Sequence, residues 1–325
     1  MRRLRCGPLP GMTAYPPRPA PPALRSAEPE AVAGSTGRVA VIGDVGGHAD
    51  ELRHALIDLG FDERTGRLPD DLTVIQVGDL IHRGPDSPGA IALVDRIQLA
   101  QPEQWIQLAG NHEAQYLAPP MFHWPERLDE DDIETIYGWW HSGRMGVAAA
   151  VATPDGDWLI THAGLTEGFW RHLLGLPADA TAAAAALNGL VRGLRHSSLF
   201  RPGVMLTGEV DPSAGPFWAS APDELLPSWA ASSAPAPFHQ VHGHSSTVDF
   251  TTGRQYRSDL TDRPGIVTVE DPVRRHVTTE IGGRRIIGVD PGHGRRPAPS
   301  WAPLVLTDAR ITTRPRRPRS GVPRR

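Results

Sequence analysis

The chain has 325 residues, 39% of them hydrophobic and 22% charged, with a formal net charge of −4. That length suits one large α/β domain with decorations or two modest domains, and the core is large enough to need no staple. The single cysteine, Cys6, excludes a disulfide framework and a cysteine metal cluster, and the small net charge makes no case for nucleic acid or an anionic membrane.

Residues 1–36 are rich in Pro, Ala and Arg without periodicity, which predicts a disordered leader, with Met12 as an alternative start. The leader lacks the apolar run of a signal peptide, and no stretch of about 18 apolar residues offers a membrane span. A cytoplasmic enzyme is therefore the default. Lysine is absent, which fits the composition of a GC-rich genome better than a functional choice.

From Arg38 the pattern changes. Val39–Ile42 is a short apolar run, followed by the Gly-rich GDVGGH and by ELRHALIDLG at helical spacing. LTVIQVGD reads as a buried strand, LIHRGPDS as a loop and IALVDRIQLA as a helix, and WIQLAGNHE repeats the strand-to-helix step. Residues 119–145 carry Trp124, Trp139 and Trp140 among acidic residues, and 166–230 hold an alanine-rich helix. Both segments are expected to form a helical cover, the tryptophans mainly packing. Between them VAAAVATPDGDWLITHAGL predicts a hairpin turning at Pro154-Asp155-Gly156. Strand patterns resume in FHQVHGHSS, GIVTVE, VTTEIG, RRIIGVDPG and PLVLTD. The alternation predicts an α/β (α+β sandwich) fold of two packed mixed β-sheets flanked by helices over residues 37–311. Residues 312–325 are expected to be a disordered basic tail, solvated rather than bound to nucleic acid.

Five motifs occur in order: GDVGGH (43–48), GDLIHRGPDS (78–87), GNHE (110–113), THAG (161–164) and HGHS (242–245). Each follows an apolar stretch that reads as a strand, and the carboxyl ends of such strands are where α/β sheets place their sites. Asp44, Asp79, the Asn111-His112 pair, His162 and His244 make an oxygen and nitrogen donor set suited to Mn²⁺, Fe or Zn²⁺. Two such ions lying close together need a bridging carboxylate, for which Asp79 is the candidate.

These motifs resemble those of the calcineurin-like metallophosphoesterases, and more narrowly the bacterial branch of the phosphoprotein phosphatase family, over roughly residues 38–310. IIGVDPGHG is similar to that family's closing strand and turn. The resemblance implies two divalent ions, with Asp44 on the first, Asp79 bridging, and Asn111, His162 and His244 on the second. It implies His112 as the general acid and Arg83 as the phosphate-holding fork.

The chain departs from the family pattern at three places. The usual metal-1 histidine, two residues after the first Asp, is Gly46. His48 and His242 are the candidates to replace it, since residues i and i+2 of an extended segment share a side. The usual Asp immediately before the second motif's Arg-Gly pair is His82, which cannot raise the pKa of His112 as a carboxylate does. His82 could instead meet phosphate, help with metal, or be a polar loop residue. The residue before GNHE, often Arg, is Ala109. Asp86 and Ser87 read as caps of the following helix, His54 as a surface or packed histidine, His293 as a possible site contact, and Asp290 as structural.

The expected function is hydrolysis of a phosphomonoester, on a phosphoserine/threonine protein or a small phosphate, by metal-activated water with His112 as acid. Ala109 keeps small phosphates, dinucleoside polyphosphates among them, close beside protein substrates. The rival of another class is a binding protein with a degraded site, marked by Gly46 and His82.

Overall fold

The computed structural model describes residues 37–315, apart from 123, 257–259 and 261–262. The expected leader lies outside the described residues, and so does the tail from 316 on.

The strands form in chain order where the apolar runs predict them. β1 (Gly37–Ile42), β2 (Leu72–Gln76), β3 (Trp105–Leu108) and β4 (Met145–Gly146) are parallel neighbours. β5 (Ala148–Thr153) and β6 (Gly156–Thr161) make the predicted hairpin, and β7 (His239–His242) runs parallel to β6. β8 (Val248–Asp249) and β9 (Arg254–Gln255) pair apart from the rest. β10 (Ile266–Asp271), β11 (His276–Ile281), β12 (Arg284–Gly288) and β13 (Leu304–Thr313) complete the set.

The main sheet has the order β10-β11-β12-β7-β6-β5-β13-β1-β2-β3-β4. The two expected sheets are thus two halves of one ladder. They are joined because β13 is long: Leu304–Ala309 pairs with β1 and Arg310–Thr313 with β5. β13 also carries the ordered chain to Thr313, two residues past the expected boundary.

Side-chain alternation sorts each strand between two cores. Val39, Val41, Ile75, Ile106, Leu108, Val151, Ile160, Val241 and Leu306 meet in an inner cluster drawn from both halves. Ala40, Ile42, Val74, Trp105, Ala150 and Leu159 face the helices in the larger outer cluster. The halves are therefore packed layers, as the sequence predicts.

Helices α1 (Ala49–Asp58), α2 (Ser87–Ala100), α3 (Asn111–Leu117) and α4 (Glu130–Ser142) follow the first strands. α5 (Glu167–His172) and the alanine-rich α6 (Ala180–Leu190) lie in the second cover segment, which ends in short turns of helix up to Ala230. Trp139 and Trp140 are buried in the outer core, as expected, and the Trp139 indole N–H donates to Asp95 at 2.8 Å. Among the described residues no helix is long and apolar enough to cross a membrane.

Candidate metal centre

The motifs converge because β1, β2, β3, β6 and β7 all end at one edge, each handing its polar residues to the turn beyond. Close approach between those turns needs glycine, at Gly110 and Gly243 among other positions. A Cβ on Gly110 would fall 2.2 Å from Asp79 Oδ1, and one on Gly243 would fall 2.1 Å from Asp44 Oδ1.

The second motif is held in unusual backbone. Asp79, His82 and Arg83 have φ of 53°, 72° and 67°, and His244 has φ 66°. Non-glycine residues in this region cost about 1–3 kcal/mol each and persist where neighbours over-determine them. Here Glu113 is one such neighbour, accepting from the N–H groups of Asp79 (2.8 Å), Leu80 (2.9 Å) and Gly110 (2.7 Å). Ser87 Oγ is another, accepting from His82 N at 2.9 Å while donating to Glu126 at 2.6 Å. Asp86 is the helix cap, its side chain accepting from Gly89 N at 2.8 Å. Ser87 therefore fixes the loop rather than capping α2, a correction to the sequence reading.

Asp79, His162 and His244 bring ligand atoms within 4.8 Å of one another. His162 Nε2 lies 3.4 Å from Asp79 Oδ1 and 3.0 Å from Asn111 Oδ1, and His244 Nδ1 lies 2.9 Å from the same amide oxygen. His162 Nδ1 donates to the Val77 carbonyl at 3.2 Å, which leaves Nε2 a bare acceptor in the neutral ring. Turning the Asn111 amide over would offer its N–H groups to these atoms. With Oδ1 inward and His244 protonated on Nε2, the Asp79 carboxylate, Asn111 Oδ1, His162 Nε2 and His244 Nδ1 face each other as the donor set of a divalent cation.

The charge balance points the same way. Asp44, Asp79 and Asp290 are buried, and Arg83 is the guanidinium that interacts with all three. Burial, then Asp290, then Asp79 push the Asp44 carboxyl well above its usual range. Burial also pushes Asp79 up, but His112, His162 and Arg83 together hold it below the carboxylate range. Burial and the Asp79 charge raise Glu113 to about 7. Asp44 Oδ1 accepts from His244 N at 2.9 Å, whereas Oδ2 is buried without a partner. An unpaired buried carboxylate oxygen beside two further carboxylates is costly unless a cation meets it. These residues fit divalent metal.

The two candidates for the missing histidine are engaged elsewhere. His48 Nε2 donates to the Gly294 carbonyl at 2.8 Å and its ring lies 5.0 Å from that of His293. His242 Nδ1 bonds the Gly243 carbonyl at 2.8 Å, and its ring lies against Gly288. Neither belongs to the group of Asp79, His162 and His244, and nor does Asp44. For the two histidines the reason is the backbone. Gly46 and Gly47 have φ of 56° and 71°, and His244 is left-handed too, so neither segment keeps the extended alternation that would place i and i+2 on one side. Asp290, read as structural, does bond its own turn through Gly292 N at 2.8 Å, yet its charge also acts on Asp44 and Arg83. His293 accepts from Ala298 N at 2.8 Å, and Arg83 donates to the His293 carbonyl at 3.3 Å. His54 is exposed on α1.

Behind the metal group lies a row of rings. His112 Nε2 is 3.6 Å from Asp79 Oδ2, and His112 Nδ1 is 3.0 Å from His82 Nδ1. His82 Nε2 is 2.8 Å from the Tyr116 hydroxyl. Burial pushes His112 down to about 4 against the raising pull of Asp79, and burial and His112 push His82 down to about 3. Trp124 stacks on His82 at 5.7 Å and 11°, lies 4.5 Å from the His112 ring, and carries the Arg83 guanidinium 5.8 Å from its centroid. The sequence reading missed the roles of Glu113, Tyr116 and Trp124. The Glu at the third helical position after a glycine turn is a capping-box signal that could have marked Glu113.

Two packed mixed sheets with carboxylate, amide and imidazole donors converging at their shared edge define a metal-binding phosphoesterase type of site. The family model of the calcineurin-like phosphoesterases matches residues 37–269, and the chain belongs to that family of hydrolases acting on phosphoester bonds. A zinc-dependent endopolyphosphatase of Saccharomyces cerevisiae is 36% identical over 90 residues, which is 26% of this chain and only 25% of that protein. Among solved structures, the cold-active protein-tyrosine phosphatase of a psychrophilic Shewanella is similar at 16% identity over 79% of this chain and 78% of that one, with a TM-score of 0.44. A protein serine/threonine phosphatase of Saccharomyces cerevisiae is similar at 14% identity over 80% and 68%, with a TM-score of 0.34.

Proposed function

We propose that the chain hydrolyses phosphomonoesters at a dinuclear centre, with Asp79 bridging, Asp44 on one side, and Asn111, His162 and His244 on the other. The observation that carries this reading is the convergence of the Asp79 carboxylate, His162 Nε2 and His244 Nδ1 on Asn111 Oδ1, with His112 Nε2 at 3.6 Å from the Asp79 carboxylate. Divalent cations held there, Mn²⁺ with Fe or Zn²⁺ as alternatives, would supply Lewis acidity and an acidified water.

The protein's own residues do the rest. Arg83, anchored on the His293 carbonyl and backed by Trp124, presents its fork to phosphoryl oxygens. His112 protonates the leaving oxygen from Nε2. That role selects one set of tautomers, assigned from the hydrogen-bond row. As the acid His112 is the imidazolium: its Nδ1–H donates to His82 Nδ1, His82 Nε2–H donates to the Tyr116 oxygen, and transfer of the Nε2 proton to the leaving oxygen returns His112 to the neutral ring. His82 thus serves as a positioning residue behind the acid, in the place of a carboxylate.

The testing experiment is a phosphoester panel with Mn²⁺ on the wild type and Asp79→Asn. It holds an aryl phosphate, a phosphopeptide, a dinucleoside tetraphosphate, a diester and linear polyphosphate, the last because the yeast relative bears that name. Turnover of a monoester by the wild type and its loss in Asp79→Asn is expected. No cleavage of any ester under any divalent metal would sink the reading and favour a binding protein.

A further inference from the structure

We propose that the leaving group this site accepts carries a flat aromatic ring, attached to the leaving oxygen directly or through one carbon, and that Trp124 is the residue that selects it. This rests on the phosphomonoesterase reading above. A cavity of about 240 Å³ opens beside the acid, walled by His82, Tyr116, Phe122 and Trp124, with Glu126 and Arg127 also lining it. A wider cavity of about 540 Å³ around Trp229, Pro235 and Ile266 shares no residue with the site.

Three observations tie the smaller cavity to the reaction. His82, in its wall, is one hydrogen bond of 3.0 Å from His112, the group that meets the leaving oxygen. Trp124 touches the acid, its partner and the phosphate fork at once, at 4.5, 5.7 and 5.8 Å. Phe122 stands edge-on to Trp124 at 5.8 Å and to Trp218 at 6.0 Å, and Trp218 stands edge-on to His244 at 6.2 Å. An arc of aromatic faces therefore runs from the acid to the metal ligand His244. In the proposed complex the part of the substrate beyond the protonated oxygen lies along it. Trp124 and Phe122 are half-buried rather than sealed in the core. Offset or edge-on ring partners favour a flat π-system over a saturated group of equal bulk. A cavity of that volume admits an aromatic ring.

The test compares equilibrium binding of benzylphosphonate and cyclohexylmethylphosphonate to the Mn²⁺-loaded protein by titration calorimetry, with hydrolysis of the matching phosphates run alongside. The parent alcohols have closely matched acidity, so intrinsic reactivity does not set the result. Benzylphosphonate should bind about three- to tenfold more tightly. Trp124→Leu should bring the ratio close to one, and Trp124→Phe, which keeps an aromatic face, should retain most of it. Adenosine monophosphate should gain little over ribose 5-phosphate. Equal affinities in the wild type, a preference untouched by Trp124→Leu, or a larger gain from the adenine base would overturn the proposal. Selective binding without turnover would leave the aromatic subsite standing and remove the hydrolase reading. Turnover without preference would do the reverse.

Discussion

One oxygen of Glu113, Oε2, accepts the backbone N–H of Asp79 at 2.8 Å and of Gly110 at 2.7 Å, so a single buried carboxylate ties together the second and third motifs. Its other oxygen takes Leu80 N at 2.9 Å. Asp79 sits at φ 53°, and this grip is what keeps it there. Glu113→Gln retains the shape but offers one acceptor oxygen for three donors. It is expected to destabilise the fold by about 1–3 kcal/mol for each N–H left unpaired. Chemical denaturation checks the stability, and weaker metal retention should accompany the loss.

The glycines that face the carboxylates separate the two proposed metal positions. Gly243→Ala puts a methyl on Asp44 Oδ1, whereas Gly110→Ala puts one on Asp79 Oδ1. Gly243→Ala should lose one ion per chain and keep the other, because His162, His244 and Asn111 are still in place. Gly110→Ala should lose both, since the bridging carboxylate is displaced. Metal titration of the two variants, with circular dichroism to confirm folding, reads the difference.

The row Tyr116–His82–His112 gives a graded series. His112→Asn is expected to lower kcat about 10²–10⁴-fold on an alkyl phosphate. Tyr116→Phe removes a single neutral hydrogen bond from the end of the row and should cost within about tenfold. On a nitrophenyl phosphate, whose leaving group needs little protonation, the His112→Asn loss should shrink sharply. Equal losses on both esters would remove His112 from the role of acid.

Asp86 and Ser87 are neighbours with different jobs. Asp86→Ala removes a cap and should cost about 0.5–2 kcal/mol in stability with kcat little changed. Ser87→Ala leaves the buried His82 N–H without its acceptor and frees Glu126, so both stability and kcat should fall. Urea unfolding and steady-state kinetics on the pair decide it.

Much of this was legible in the residues. Val39, Val41, Ile75 and Ile160 alternate with neighbours that face the helices, and the five Gly-containing motifs end those strands. The unbroken ladder was hidden because the second half of β13, through Asp308, Arg310 and Thr312, is polar and does not read as a strand. The first-metal histidine was sought by an extended-strand rule, and left-handed Gly46, Gly47 and His244 void that rule. Glu113 works on backbone 33 and 34 residues away, which no side-chain pattern reports. Trp124 lies in a segment without periodicity, and its partners are three residues from two other motifs.

The convergence around Asp79 is tested most directly by elemental analysis of the purified wild type and Asp79→Asn after loading with Mn²⁺ and gel filtration. Close to two ions per chain are expected in the wild type, one or none in Asp79→Asn, with phosphoester turnover falling in step. Two ions retained by Asp79→Asn, or one or none in a wild type of unimpaired turnover, would contradict a dinuclear centre bridged by Asp79.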